Sequence, residues 1–190
     1  LHDRPGRRRR RRADVGLTRR LAPSSRSKYS GGPGAGPRSD SCQGHRMSLP
    51  PNPHPVPPRL VETAYPFQAH VGFELTGWGP GYARFEIDME AHHANRHGKL
   101  HGGVYAIVLD SAMGFSGAFT GDPDDRILTM TLSMTTNFLG AARGPRLVAE
   151  GWHTGGGRKI FFTEGRMTDS DGTLVATATG TFKAQPWDRG

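Results

Sequence analysis

At 190 residues with a formal net charge of +8, the chain has room for one ordinary domain and little for a second. The charge does not argue for a nucleic-acid-binding domain, because residues 1–46 hold 13 of the 25 Lys and Arg but 3 of the 17 Asp and Glu, which leaves a net of −2 from Met47 onward. No apolar run approaches the roughly 20 residues of a membrane-spanning helix, and the one cysteine, Cys42, precedes the predicted domain, which excludes a disulfide, a thiolate metal site or a catalytic thiol there and fits a soluble protein of a reducing, cytoplasmic compartment.

Residues 1–46 open the chain with six consecutive arginines, Arg7 to Arg12, followed by Ser, Gly and Pro in quantity. So few apolar side chains cannot offset the entropy of ordering, and the stretch is predicted to be a disordered basic leader. Three readings of it stand open: translation upstream of a true start at Met47, a basic arm that contacts phosphates, and an organelle transit peptide. Leu1, and Met47 at the point where composition changes, favour the first. Residues 47–65 are a Pro-rich, extended lead-in, and residues 66–185 carry the pattern of a compact domain.

A short first strand is expected at residues 72–76 and a turn at residues 77–81. Alternation follows through residues 82–89, with Phe85, Ile87 and Met89 on one face and Arg84, Glu86 and Asp88 on the other, which predicts a half-exposed strand. After a polar, His-rich loop at residues 91–100, Val104, Ile107, Val108, Ala112 and Phe115 recur at helical spacing and predict a buried helix that stops near Gly117 and Gly121. Four β-like segments complete the chain at residues 127–139, 146–154, 159–168 and 174–183, with turns at residues 155–157 and 169–172. The expected class is α+β: an antiparallel meander packed on one long central helix.

The chemistry is concentrated between residues 95 and 110. Gly102 and Gly103 at a helix start let a ligand approach the backbone, where unpaired N–H groups and the positive end of the helix dipole favour an oxyanion. Asn95 offers an amide to a carbonyl or a water, and Asp110, the one acidic residue of the helix, is a candidate general base or nucleophile. Gly102 and Asp110 are eight residues apart, about 12 Å along one helix. If they act on one carbonyl they must come from two subunits, which requires a symmetric dimer.

The run Asn-x-x-Gly-x-x-His-Gly-Gly at residues 95–103, with Asp110 nine positions after His101, resembles the PaaI-type hotdog thioesterases, acyl-CoA and aryl-CoA hydrolases related to the phenylacetate-pathway enzyme. The resemblance spans about residues 66–182 and includes residues 129–142, Gly157-Arg158 and the closing Asp-x-x-Gly-x-Leu-Val-Ala run. It implies the hotdog fold, an antiparallel sheet wrapped around one long helix, dimers often paired into tetramers, and hydrolysis of a thioester to a free acid and coenzyme A without cofactor or metal. It also implies that Gly102 supplies the oxyanion N–H with Asn95 and His101 shaping that side, that Asp110 and Thr131 come from the facing subunit, and that Arg158 and Lys159 pair with coenzyme A. One departure is Gly140-Ala141-Ala142, where many relatives have a proline.

Plainer readings stand beside these. His93, His97 and His101 fall at spacings of four, yet Gly98 and the loop composition argue against the continuous helix a metal site would need, so His92, His93 and His97 read as loop residues and His101 as holding backbone at the helix entrance. Asn95 also suits a turn cap, Asp110 a solvated helix position and Thr131 an ordinary strand position. Residues 155–159 lack the order of a phosphate loop. A non-catalytic acyl-CoA-binding protein of the same fold is the alternative function.

Overall fold

In this computed structural model residues 51–187 are described, and the basic leader with its three readings lies outside them, as does Cys42. The predicted helix is α2, Gly102–Ser116. Val104, Tyr105, Val108, Leu109, Ala112 and Met113 are all buried, and a helix apolar over most of its circumference has to be covered over most of it. His101 caps its start by accepting the Gly103 N–H on Nδ1 at 2.9 Å, and the Gly117 N–H closes its end on the carbonyls of Gly114 and Phe115.

Six strands wrap this helix: β1 Phe73–Gly79, β2 Tyr82–Asp88, β3 Ile127–Phe138, β4 Arg146–Gly156, β5 Ile160–Asp169 and β6 Leu174–Pro186. All neighbours are antiparallel, in the order β1-β2-β4-β5-β6-β3. The expected α+β hotdog architecture is therefore the fold, but the meander needs correction. β4, β5 and β6 follow one another as expected, whereas α2 carries the chain across the sheet, so β3 lands on the far edge against β6 and β2 adjoins β4. Strand patterns mark which residues are extended and carry no record of which strand lies beside which.

One local element is added and two expectations change. The segment before β1 is a short helix, α1 Pro66–Val71, opened by its proline and closed by Gly72 at φ 85. Six residues are too few to display a helical period. β1 runs on to Gly79 through the expected turn, which shrinks to Pro80 and Gly81. Lastly, β2 is not half-exposed: Arg84 is 3 % exposed and pairs with Glu86 at 3.0 Å. The lead-in lies along β1, with the Asn52 amide donating to the Thr76 carbonyl at 2.8 Å and the Trp78 N–H to the His54 carbonyl at 2.8 Å.

Gly151 and Gly165, partners across β4 and β5, set how closely α2 lies on the sheet. A Cβ at Gly151 would run into the Ala112 backbone, and one at Gly165 would press on Met113 and Leu109. Phe85, Leu147, Met167 and Val175, all fully buried, fill the core around this contact. Among the described residues no helix is long and apolar enough to cross a membrane.

Candidate active site

Asp110 and Thr131 meet. The Thr131 hydroxyl donates to Asp110 Oδ1 at 2.8 Å, joining the middle of α2 to β3. Their meeting depends on an irregularity in β3, where Thr131 pairs with Phe182 and Ser133 with Thr181, so that Leu132 is an extra residue. Before this bulge Ile127 and Thr129 turn toward the helix side, as their partial burial shows, and Thr131 does so through its bond to Asp110; after it the half-buried positions are Met134 and Thr136. Burial raises the Asp110 carboxyl above its ordinary value, and the hydrogen bond from Thr131 opposes that rise. A half-buried carboxylate held by a hydroxyl and biased toward accepting a proton is suited to act as a base or as a nucleophile.

A cavity of about 320 Å³ opens beside the pair, in the size range of small-ligand sites. Its walls include Asp110, Thr131, Thr129, Gly114, Phe115 and Trp78. The indole N–H of Trp78 donates to the Phe115 carbonyl at 2.9 Å, and the two rings lie 5.3 Å apart. Of the aromatic residues in or near the predicted site, Phe115 therefore faces the cavity. Phe119 packs on the Trp78 ring at 5.6 Å, and Phe138 is 57 % exposed.

The other predicted groups gather at the opposite end of the helix. Asn95 Oδ1 accepts the N–H groups of His97 at 2.8 Å and Lys99 at 3.3 Å, folding the loop back on itself with Gly98 at φ 68. The turn-capping role is therefore real, and it leaves the side-chain amide N–H groups without a partner among the described residues. His101 holds the Gly103 N–H, as expected of a residue at the helix entrance. The N–H of Gly102 meets no acceptor among the described residues and points out of the helix start, with the Phe138 ring 3.5 Å from where a Cβ would stand. His93 is buried and pinned, accepting the Glu90 N–H on Nδ1 at 3.1 Å while Nε2 meets the Val71 carbonyl at 2.7 Å. Among the described residues no group of three or more His, Cys, Asp or Glu is arranged to hold a metal ion.

Within one chain, then, Asp110 and Thr131 are joined, while Asn95, His101 and Gly102 stand apart from them about two helical turns away. Arg158 and Lys159 are exposed on the β4–β5 hairpin, away from the cavity walls. Sequence reasoning missed Trp78, which it placed in a turn, and Gly114, which leaves the cavity floor open: a Cβ there would lie 3.1 Å from Thr129 Oγ1. A glycine inside an otherwise apolar helix was the available signal for the second.

Residues 97–176 match the sequence model of the Thioesterase superfamily. A Pseudomonas aeruginosa protein named "putative esterase" is 30 % identical over 97 residues, covering 50 % of this chain and 70 % of that one. The structure is similar to that of a thioesterase family protein from Silicibacter pomeroyi, with a TM-score of 0.58 and 25 % identity over 65 % of this chain and 91 % of the other. It is also similar to a point mutant of the phenylacetic acid degradation protein PaaI from Thermus thermophilus, with a TM-score of 0.55 and 25 % identity over 63 % and 98 % of the two chains. With the helix-wrapping sheet and the matched residues together, the chain belongs to the thioesterase superfamily, as a PaaI-like hotdog protein.

Proposed function

We propose that the chain hydrolyses acyl-CoA or aryl-CoA thioesters to the free acid and coenzyme A, and that its working form is a homodimer or a homotetramer built from such dimers. Family membership supports thioester hydrolysis in general. The observation that carries the finer reading is the division of the site: a paired carboxylate at a cavity in one place, and an unpartnered helix-start N–H in another. A symmetric dimer brings the second half of one subunit to the first half of its partner. The outer face of β3 supports such an assembly, since Leu128, Met130 and Leu132 are 40 %, 54 % and 50 % exposed on a strand whose outer edge has no neighbour among the described residues.

In this reading the thioester carbonyl lies over the Gly102 N–H, with the Asn95 amide and His101 shaping that side. Asp110 of the facing subunit takes a proton from a water that Thr131 orients, or attacks the carbonyl itself. On the first route the oxyanion collapses to the acid as the carbon–sulfur bond breaks, and the thiolate of coenzyme A leaves and takes up the proton from Asp110; on the second the collapse leaves a mixed anhydride on Asp110, and water hydrolyses it to the acid, frees the carboxylate and supplies the proton for the thiolate. Arg158 and Lys159 offer positive charge to the coenzyme A phosphates. The chemistry calls on no metal or cofactor. Residues 66–185 form the catalytic domain, and the single Cys42 is in keeping with a reducing, cytoplasmic setting.

The test is release of free thiol across a panel from acetyl through long-chain acyl to phenylacetyl and hydroxybenzoyl thioesters, with Asp110→Asn as control. Hydrolysis lost in that variant supports the assignment. Tight binding without turnover across the panel moves the reading to an acyl-CoA-binding protein.

A further inference from the structure

The cavity beside Asp110 has a direction, set by two elements running past each other. Asp110 stands against Thr131 through their hydrogen bond, and Gly114, one helical turn on, stands against Thr129, two strand residues back. Ala118 and Ile127 continue the same two series and also line the cavity. The cavity thus leads away from the carboxylate toward the end of α2 and the start of β3, past the roughly 9 Å of helix between Asp110 and Ser116.

At that far end stands Arg126, which ties four segments together. Its guanidinium pairs with Glu62 of the lead-in at 3.3 Å, and its Nε donates to the Pro123 carbonyl at 3.1 Å. The Trp187 ring lies 5.5 Å from the guanidinium, while the Trp187 N–H donates to the Arg126 carbonyl at 2.9 Å. Glu62, Pro123, Arg126 and Trp187 all line the cavity. Arg126 is five strand residues from Thr131, about 17 Å, which places the clasp opposite the carboxylate. The lining is mixed: Leu60, Trp78, Phe115 and Ala118 give it apolar surface, while Arg59, Asp122 and Asp125 add charge.

A methylene chain that grows along such a cavity gains burial until it reaches the clasp. Beyond that it must displace a charge pair and an aromatic contact. We propose that the Arg126–Glu62 clasp is a specificity determinant that sets the longest acyl group the enzyme accepts. This rests on the reading of Asp110 as the catalytic carboxylate at the near end.

The experiment measures, on the full chain, the ratio of kcat/KM for decanoyl-CoA to that for butyryl-CoA. Arg126→Ala and Glu62→Ala open the far end and are expected to raise this ratio about tenfold, the scale on which a hydrophobic pocket distinguishes chain lengths. Arg126→Lys keeps the charge for Glu62 and is expected to fall between the parent and the alanine variants. Ala118→Leu fills the same end and is expected to lower the ratio, a change of opposite sign that general loosening of the fold does not produce. Parent-like ratios in Arg126→Ala, Glu62→Ala and Ala118→Leu, with butyryl-CoA still hydrolysed, overturn the clasp and leave the assignment of Asp110 standing. A parent that hydrolyses neither of these thioesters but does hydrolyse the phenylacetyl or hydroxybenzoyl ones overturns the clasp alone, and one that hydrolyses no thioester of the panel overturns both.

Discussion

The two halves of the candidate site differ in how much of each a single chain completes. At Asp110 the chain provides the carboxylate, the hydroxyl that holds it, a bulge that aims the hydroxyl and a cavity alongside. At Gly102 it provides a helix start with a free N–H, a cap on the neighbouring N–H and a braced loop, with that loop largely exposed. The first half is organised by contacts inside the fold, and the second by local backbone geometry at its surface. A residue embedded in packing can be tuned through its neighbours, whereas a surface N–H acquires its surroundings from whatever covers it.

The largest effect separating the halves is expected from Asp110→Asn, which should lower kcat about 10²-fold to 10⁴-fold. It should not unfold the protein. Burial raises the carboxyl above its ordinary 3.8, so the folded state gains from protonation below that value and loses the gain as pH rises through the folded one. At pH 7 the ionised side chain therefore costs stability. The Asn variant should melt above the parent at neutral pH, with the gap closing as pH falls toward 3.8. An unchanged kcat, or a lower melting temperature at pH 7, would sink this account of Asp110.

Gly102→Pro tests the other half with little disturbance, because proline is tolerated at the first helical position and removes only the N–H in question. His101 at φ −69 and ψ 135 already has the conformation that precedes a proline. The expected loss in kcat is about 10²-fold to 10³-fold, with helical circular dichroism retained. Mixing the two inactive variants then sharpens the comparison. If each working site joins Gly102 of one subunit to Asp110 of another, half of a randomly reassorted dimer population is mixed and carries one intact site, restoring about a quarter of parent activity. No recovery in a population shown by mass to contain mixed dimers means that the halves do not act across subunits.

Thr131→Val should give the smallest effect, about a tenfold loss at acid pH. The Thr131 hydrogen bond lowers the Asp110 pKa, so its removal should move the acid limb of kcat/KM to higher pH. A limb that stays put while kcat falls uniformly would assign Thr131 to the water and not to the carboxylate.

Much of this was legible in the residues themselves. Apolar spacing from Val104 to Phe115 marked the helix, two glycines after His101 marked its exposed start, and a lone acid marked the carboxylate. What stayed hidden depended on neighbours distant in sequence. The resemblance placed Thr131 beside Asp110, but the direct hydrogen bond between them needs β3 to cross to the edge beyond β6, and Arg84 looked solvent-facing because nothing in β2 records its burial beside Glu86. The Arg126–Glu62 pair, from residues 64 positions apart, was beyond any local pattern.

The antiparallel run of α2 past β3 has a consequence of its own. Four residues of helix advance about 6.0 Å and two of strand about 6.6 Å, so the two series keep nearly in step where they run side by side. Asp110 with Thr131 is the first rung and Gly114 with Thr129 the second, and beyond them, where Gly117 has ended the helix, Ala118 and Ile127 line the cavity. The paired carboxylate occupies one rung and open cavity wall the next, so the two can vary independently. A turn added to α2 would lengthen the channel by a rung without touching the carboxylate.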